Sequence, residues 1–261
     1  MLVGAVAFLL VAECGLRWGW GFGTPVLYEW DSRFEYRMAP NQSVRRFGKR
    51  IETNSLGLRC RPFDSRRSDP SEFRVLVLGD SVVNGGSHVD QSELGTALLE
   101  RALADRLGRP VLVVNASANS WGPPNEQAFI EAFGTFDADV VFLVLSSHDL
   151  VDIPDHAAES RSGSGNAFNR PWCALSEVAG MAWARLIPAA VPSPPDEADA
   201  TRAAESLAAL RTLLAALTAR AEHVAVGFHW DRDEQASGEP RHAHDLLTGE
   251  IAAFHVASWD I

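Results

Sequence analysis

Ser81 follows Gly79 and Asp80 directly behind the apolar run RVLVL, residues 74 to 78. Two chemistries are open to a serine in that place. It can belong to a helix cap, with Gly79 supplying a permissive turn and Asp80 or Ser81 accepting a hydrogen bond from the first N–H groups of the next helix. It can also be a nucleophile, because open α/β sheets present their reacting groups at the carboxyl ends of parallel strands. Two more polar clusters stand behind later apolar runs: Asn115, Ser117, Asn119 and Ser120 with PVLVVNA, then Ser146, Ser147, His148 and Asp149 with ADVVFLVLSS. Phosphate binding is excluded, since GDSVVNGG has neither the G-x-x-x-x-G-K-[ST] nor the G-x-G-x-x-G spacing. It is not G-x-S-x-G either, so the strained elbow of the α/β-hydrolases is excluded too.

The elements that must position these residues begin at Phe73. A first strand at 74 to 78 leads to a helical stretch, SELGTALLERALADRLG, with Gly108 as its stop. PVLVVNA is a second strand, followed by a turn-rich SANSWGPP and a helix from near Asn125. ADVVFLVLSS is a third. These runs are short, rich in Val and Leu and without alternation, as expected of strands buried on both faces. The chain then loosens in ESRSGSGN, forms an amphipathic helix at about 172 to 187, and crosses PAAVPSPPDE, a proline-rich loop or lid. A long helix over roughly 199 to 220 precedes a fourth strand, HVAVGFHW. A short helix near 242 to 253 precedes a last run, FHVASW. The alternation predicts a three-layer α/β/α sandwich with a mainly parallel sheet of the flavodoxin-like kind, and it gathers the polar loops at one sheet edge.

Composition narrows the partners. The 261 residues are 46% hydrophobic, enough for a sizeable core, and carry a formal charge of −11. A nucleic-acid partner is not expected, because phosphate-backbone binding needs a concentrated basic surface. The local cluster RRFGKR, residues 45 to 50, reads as a solvated segment. Cys14, Cys60 and Cys173 lie far apart without a C-x-x-C pair, so neither a disulfide nor a metal site is expected, and no cofactor is implied. The start, MLVGAVAFLLVAECG, is uncharged over residues 2 to 12, and reaches the ~20 residues of a membrane span only by including Glu13 and Arg17. Residues 1–23 are read as an export signal or membrane anchor, against a buried terminal helix, with Trp18 and Trp20 suited to an interfacial belt. Residues 24–72 show no sustained period and read as an extended connector.

The blocks VLVLGDS, VVNASANSWG and VVFLVLSSHDL resemble, in order and spacing, those of the SGNH or GDSL-type esterases and acylhydrolases. TNSLGLR, residues 53 to 59, looks like the connector of their exported, membrane-tethered members. The resemblance covers about residues 41 to 261 and implies a serine nucleophile acting on ester carbonyls. Carried over by position, Ser81 is the nucleophile and its N–H the first oxyanion donor. Ser120 stands where a glycine normally gives the second donor, and His148 where an asparagine amide gives the third. Asp80 and Asp149 are supporting residues. Against this, His148 could merely cap the next segment.

The base departs from the family pattern. Members carry an Asp-x-x-His near the carboxyl end, whose His takes the serine proton while the Asp orients it. FHVASWDI looks like the strand before that motif, so residues 73–261 read as a hydrolase domain lacking its last part, and this chain is expected to be nearly inert. Asp152 and His156 have the wrong spacing; His229, His242 and His244 are minor candidates for a substitute base. The resemblance thus implies a carbohydrate or lipid O-acyl ester as substrate and an extracytoplasmic, tethered or secreted protein. An O-acyltransferase with the same nucleophile, and a non-catalytic acyl- or glycan-binding module, remain alternatives.

Overall fold

A computed structural model describes residues 2–154, 167–186 and 197–261. His156, the ESRSGSGN segment up to Asn166 and positions 188–196 of the proline-rich loop lie outside them. The sheet is built from β5 (Phe73–Gly79), β6 (Val111–Ser117), β7 (Val140–Ser146), β8 (His223–His229) and β9 (Ala257–Asp260), all parallel, in the order β6-β5-β7-β8-β9. β5 sits second from one edge, and the crossovers run outward from it in both directions. That order makes the carboxyl ends of β5, β6 and β7 neighbours.

The two faces of β5 explain its unbroken apolar run. Val75 and Val77 pack with Val111, Val113 and Val144 against Leu103 and Ala104 of α3 (Gly95–Leu107). Leu76 and Leu78 point the other way, into a larger core with Phe129 and Ile130 of α4 (Pro123–Phe133). Leu210, Leu213 and Leu217 of α6 (Glu197–Thr218) and Leu247 and Ile251 of α8 (His242–Ala252) complete that side. The result is an α/β/α sandwich. Gly108 ends α3 in the left-handed conformation at φ 61°, and α4 starts two residues before Asn125 because Pro123 and Pro124 suit a first helical turn. The last strand is shorter than FHVASW suggests: Phe254 and His255 sit in a turn, with His255 at φ 53°.

The segment expected to be an extended connector is not one. It holds two antiparallel hairpins, β1 (Tyr28–Asp31) with β2 (Glu35–Met38), and β3 (Ser43–Arg46) with β4 (Lys49–Glu52). Phe34, Tyr36, Met38, Ile51 and Leu58 are buried in the same core as the sheet. Phe34 meets Trp121 and Phe129 edge-on at centroid distances of 5.8 and 5.7 Å. RRFGKR spans the turn of the second hairpin and the strand ends beside it, with Arg45, Gly48 and Arg50 exposed and Arg46 not. Its Arg46 is buried, ion-paired with Glu177, and stacked 4.7 Å from the Phe47 ring.

At the start of the chain, α1 (Leu2–Gly15) runs into a π-helical turn, Leu16–Trp20. Together they form a 19-residue helix long and apolar enough to cross a membrane. Its two charges neutralise each other, since Arg17 donates to Glu13 at 2.8 Å, one turn away. Glu13 also accepts the N–H groups of Ala174 and Leu175 at 2.9 and 3.0 Å, which ties the leader to α5 (Ala174–Leu186). All three cysteines are free thiols.

Candidate active site

Ser81 is the first residue of α2 (Ser81–Asn84), the four-residue helix that begins where β5 ends. Asp80 caps it, accepting the Val82 N–H on Oδ1 at 2.9 Å, so cap and exposed serine are two adjacent residues here rather than rival readings of one. Ser81 is exposed, and its hydroxyl makes no hydrogen bond among the described residues. As the first helical residue, it has no intrahelical acceptor for its N–H. Gly79 leaves room for Val83: a Cβ there would stand 2.5 Å from Val83 Cγ2, and one of the two would have to shift.

The far end of α2 is held by residues the sequence did not mark. Arg59, 2% exposed, donates to the carbonyls of Asn84 and Gly86 at 2.7 Å each and of Val89 at 3.1 Å. The Asn84 carbonyl is one that the short helix leaves without an intrahelical partner, and those of Gly86 and Val89 belong to the chain that follows it. Burial lowers the Arg59 guanidinium to about 10, with Tyr28 and Asp90 pulling the other way. Arg59 is aimed by the turn before it, where Asn54 Oδ1 accepts from Leu56 and Leu58 and Gly57 takes φ 74° against the Met38 carbonyl. Asn84 in turn donates to the Ser117 carbonyl at 3.1 Å, and Asn115 to the Val83 carbonyl at 2.9 Å. Both tie α2 to the end of β6.

Ser120 follows β6 at φ 53°, left-handed backbone that favours glycine, and is exposed. Tyr36 fixes the preceding residue, donating its hydroxyl to the Asn119 carbonyl at 2.6 Å. Two residues on, Gly122 lies beneath the chain after β7: a Cβ there would come within 2.2 Å of the Asp152 carbonyl oxygen. The β6 and β7 loops therefore touch. His148 lies in the 3-10 turn Ser147–Leu150 and is exposed. Its Nε2 is 3.7 Å from Asp231 Oδ2, which Arg241 approaches at 3.1 Å. Asp231 is the N-cap of α7 (Arg232–Ser237), a helix that the residue pattern did not announce. Asp149 is a cap in its own loop, accepting the Ser146 N–H at 2.6 Å.

The carboxyl groups around these loops share one environment. Burial pushes Asp80 up, opposed by the Val82 N–H and the charges of His229 and His148. Burial, with Asp80 nearby, also raises Glu126 on α4 and Asp149 well above the usual carboxylate range. Asp152 is pushed up to about 6 by burial, with His148 pulling it down. Burial is the largest cause of each of these upward shifts. No sequence pattern marks Glu126, because its burial comes from the packing of α4. The substitute-base candidates are dispersed. His229 ends β8 within electrostatic reach of Asp80. His244 is engaged with Asp260 at 3.1 Å and packs edge-on against Phe228, while His242 is exposed at the start of α8. No hydrogen bond joins Ser81, Ser120 and His148 to one another among the described residues.

The sequence pattern of the GDSL-like lipase/acylhydrolase family matches residues 77–255, which run from the strand before Ser81 to the turn before β9. The chain belongs to this family. A GDSL-like hydrolase accordingly has ester chemistry on small-molecule substrates as its class of reaction. No curated protein matches the sequence. Among solved structures, the chain is similar to AlinE4, an SGNH-hydrolase family esterase, at 15% identity and TM-score 0.44, over 73% of this chain and 77% of that one. It is also similar to TesA, at 19% identity and TM-score 0.42, over 71% and 76%. Axe2, an acetylxylan esterase from Geobacillus stearothermophilus, stands at 11% identity and TM-score 0.41, over 71% and 74%.

Proposed function

We propose that this GDSL-like chain is a serine-dependent acylhydrolase for carbohydrate or lipid O-acyl esters, with Ser81 as nucleophile. The observation that carries the reading is the placement of Ser81: exposed, first in α2, its hydroxyl without a protein partner among the described residues. In the proposed reaction, Ser81 Oγ bonds to the acyl carbon and its proton passes to a base. The alkoxide then leaves with a proton, and water releases the acyl group from serine. The N–H groups of Ser81 and Ser120 and the imidazole of His148 hold the oxyanion, with Asp80 and Asp149 fixing the turns that carry them. The helix Leu2–Trp20 supports tethering to a membrane, with the hydrolase on the extracytoplasmic side.

A base completes the chemistry. The family's Asp-x-x-His does not follow β9 within these 261 residues, so the test supplies imidazole from solution. Turnover of a short-chain aryl ester should rise with imidazole concentration in the full chain beyond the rise in Ser81→Ala. Identical rates in both at every imidazole concentration would overturn the serine mechanism. A Ser81-dependent rate that is high without imidazole would locate the base within the chain, with His229, His242 and His244 the first to substitute.

A further inference from the structure

A pocket of about 860 Å³ beside the β6 loop takes no part in the proposed catalysis. Its volume falls in the range of roughly 300–1,000 Å³ typical of small-molecule sites. Its lining includes Asn119, the neighbour of Ser120, and Gly86 to His88, the chain that leaves α2. It also includes Phe22 and Pro25, just past the apolar helix Leu2–Trp20. Val26, Phe47, Val178, Met181 and Ala182 supply apolar surface, and the Arg46–Glu177 ion pair lies among them.

α5 forms one wall and has two apolar faces. Val178, Met181, Ala182 and Arg185 recur at helical spacing and line the pocket. Turned elsewhere, Trp183 is 68% exposed and Leu186 77%, and Trp172 just before the helix is 92% exposed. Ala174 is its one buried residue. An apolar patch with two exposed Trp residues suits a helix at a lipid headgroup boundary, where Trp is favoured. The first turn of α5 is fastened beside the leader: Glu13 accepts from Ala174 and Leu175, and Glu177 accepts the Gly23 N–H at 2.6 Å. Whatever bilayer holds the leader therefore lies next to α5. Arg185 makes no ion pair among the described residues and stands at the pocket wall.

We propose that this pocket binds the acyl chain of a membrane amphiphile with an acidic head group, α5 separating it from the bilayer and Arg185 pairing with the head. The proposal rests on the acylhydrolase reading for the fate of the chain, but binding is measured apart from catalysis.

The full chain is placed in phosphatidylcholine vesicles with a photoreactive diazirine palmitate, and labelled residues are located by mass spectrometry. Labels are expected on Val178, Met181 or Ala182, in the native chain and in Ser81→Ala alike, and excess palmitate should compete them away. Ala182→Trp should cut this labelling about tenfold by filling the pocket. Arg185→Glu, at an exposed position that leaves the core intact, should weaken palmitate labelling by about fivefold, the worth of one reversed surface charge, and spare labelling by an uncharged diazirine monoacylglycerol. Labels confined to Leu2–Trp20, Trp183 and Leu186 and insensitive to both substitutions would overturn the proposal, since the probe would then report the bilayer alone. Loss of the imidazole-dependent, Ser81-dependent turnover with pocket labelling intact would instead strike only the acylhydrolase reading.

Discussion

Arg59 donates to the carbonyl of Asn84 at 2.7 Å, so a cation from the segment ahead of the sheet closes the helix that Ser81 opens. The pairing joins the part of the chain that looks least ordered in sequence to the part that looks most functional. It also has a measurable cost when broken.

Arg59→Met leaves the carbonyls of Asn84, Gly86 and Val89 short of their donor, and should lower unfolding stability by about 3 kcal/mol or more. Arg59→Lys should recover little of it, because one ammonium cannot span three acceptors as a planar guanidinium does. Urea denaturation of the three proteins checks this. Equal stability of native and Met forms would mean that the carbonyls are satisfied by water.

Ser120→Gly should be neutral or stabilising by up to about 1 kcal/mol. A serine at φ 53° is strained in left-handed backbone, whereas glycine enters it freely at some cost in unfolded-chain entropy. Thermal unfolding reads the difference. A clear loss of stability would show that the Ser120 side chain makes an interaction that outweighs the strain.

How much of this was legible in the sequence follows from where the information lies. β5, β6 and β7 were readable because each carries a short, continuous run rich in Val and Leu, the pattern that burial on both faces demands of a parallel strand, and β8 because HVAVGFH is a short apolar stretch ahead of Trp230. Gly108 and Asp80 were readable because turn and cap chemistry is local. The hairpins β1 to β4 were not, since each strand is only four residues long and Phe34, Tyr36 and Ile51 are scattered among arginines. Only pairing and burial reveal them. Arg46 misled for a related reason: an arginine reads as solvated until its buried partners are known. Ser81, Ser120 and His148 stand in loops that the strand pattern places, whereas Asp231 meets His148 through α7 and Glu126 lies near Asp80 through α4, which no local spacing announces.

Asp152 gives the site a pH signature. Its folded value of about 6 lies above the ordinary carboxylate value, so its contribution to stability is complete below about pH 4 and is lost as pH rises through 6. Native stability should therefore fall across pH 4 to 6 relative to Asp152→Asn, by on the order of 1 kcal/mol. Urea midpoints of both proteins at intervals across that range check the sign. Parallel curves would show that Asp152 is well solvated.

His148→Ala should slow Ser81 acylation by about 10²–10³-fold, the usual cost of one oxyanion donor, and His148→Asn should restore most of it because an amide can donate in the same direction. Acylation rates with an activated ester in imidazole buffer distinguish the two. If both variants matched the native chain, His148 would be left with its contact to Asp231 as its only role.

The central claim is that Ser81 is the nucleophile, and the most direct measurement is the location of the covalent adduct. The full chain is treated with an activated ester in imidazole buffer, quenched in acid, digested, and each acylated residue identified by peptide mass. One principal acyl group is predicted on Ser81, absent from Ser81→Ala and competed by a slow ester. An adduct spread over exposed serines, or found at Ser117 or Ser120 and unchanged in Ser81→Ala, would contradict it.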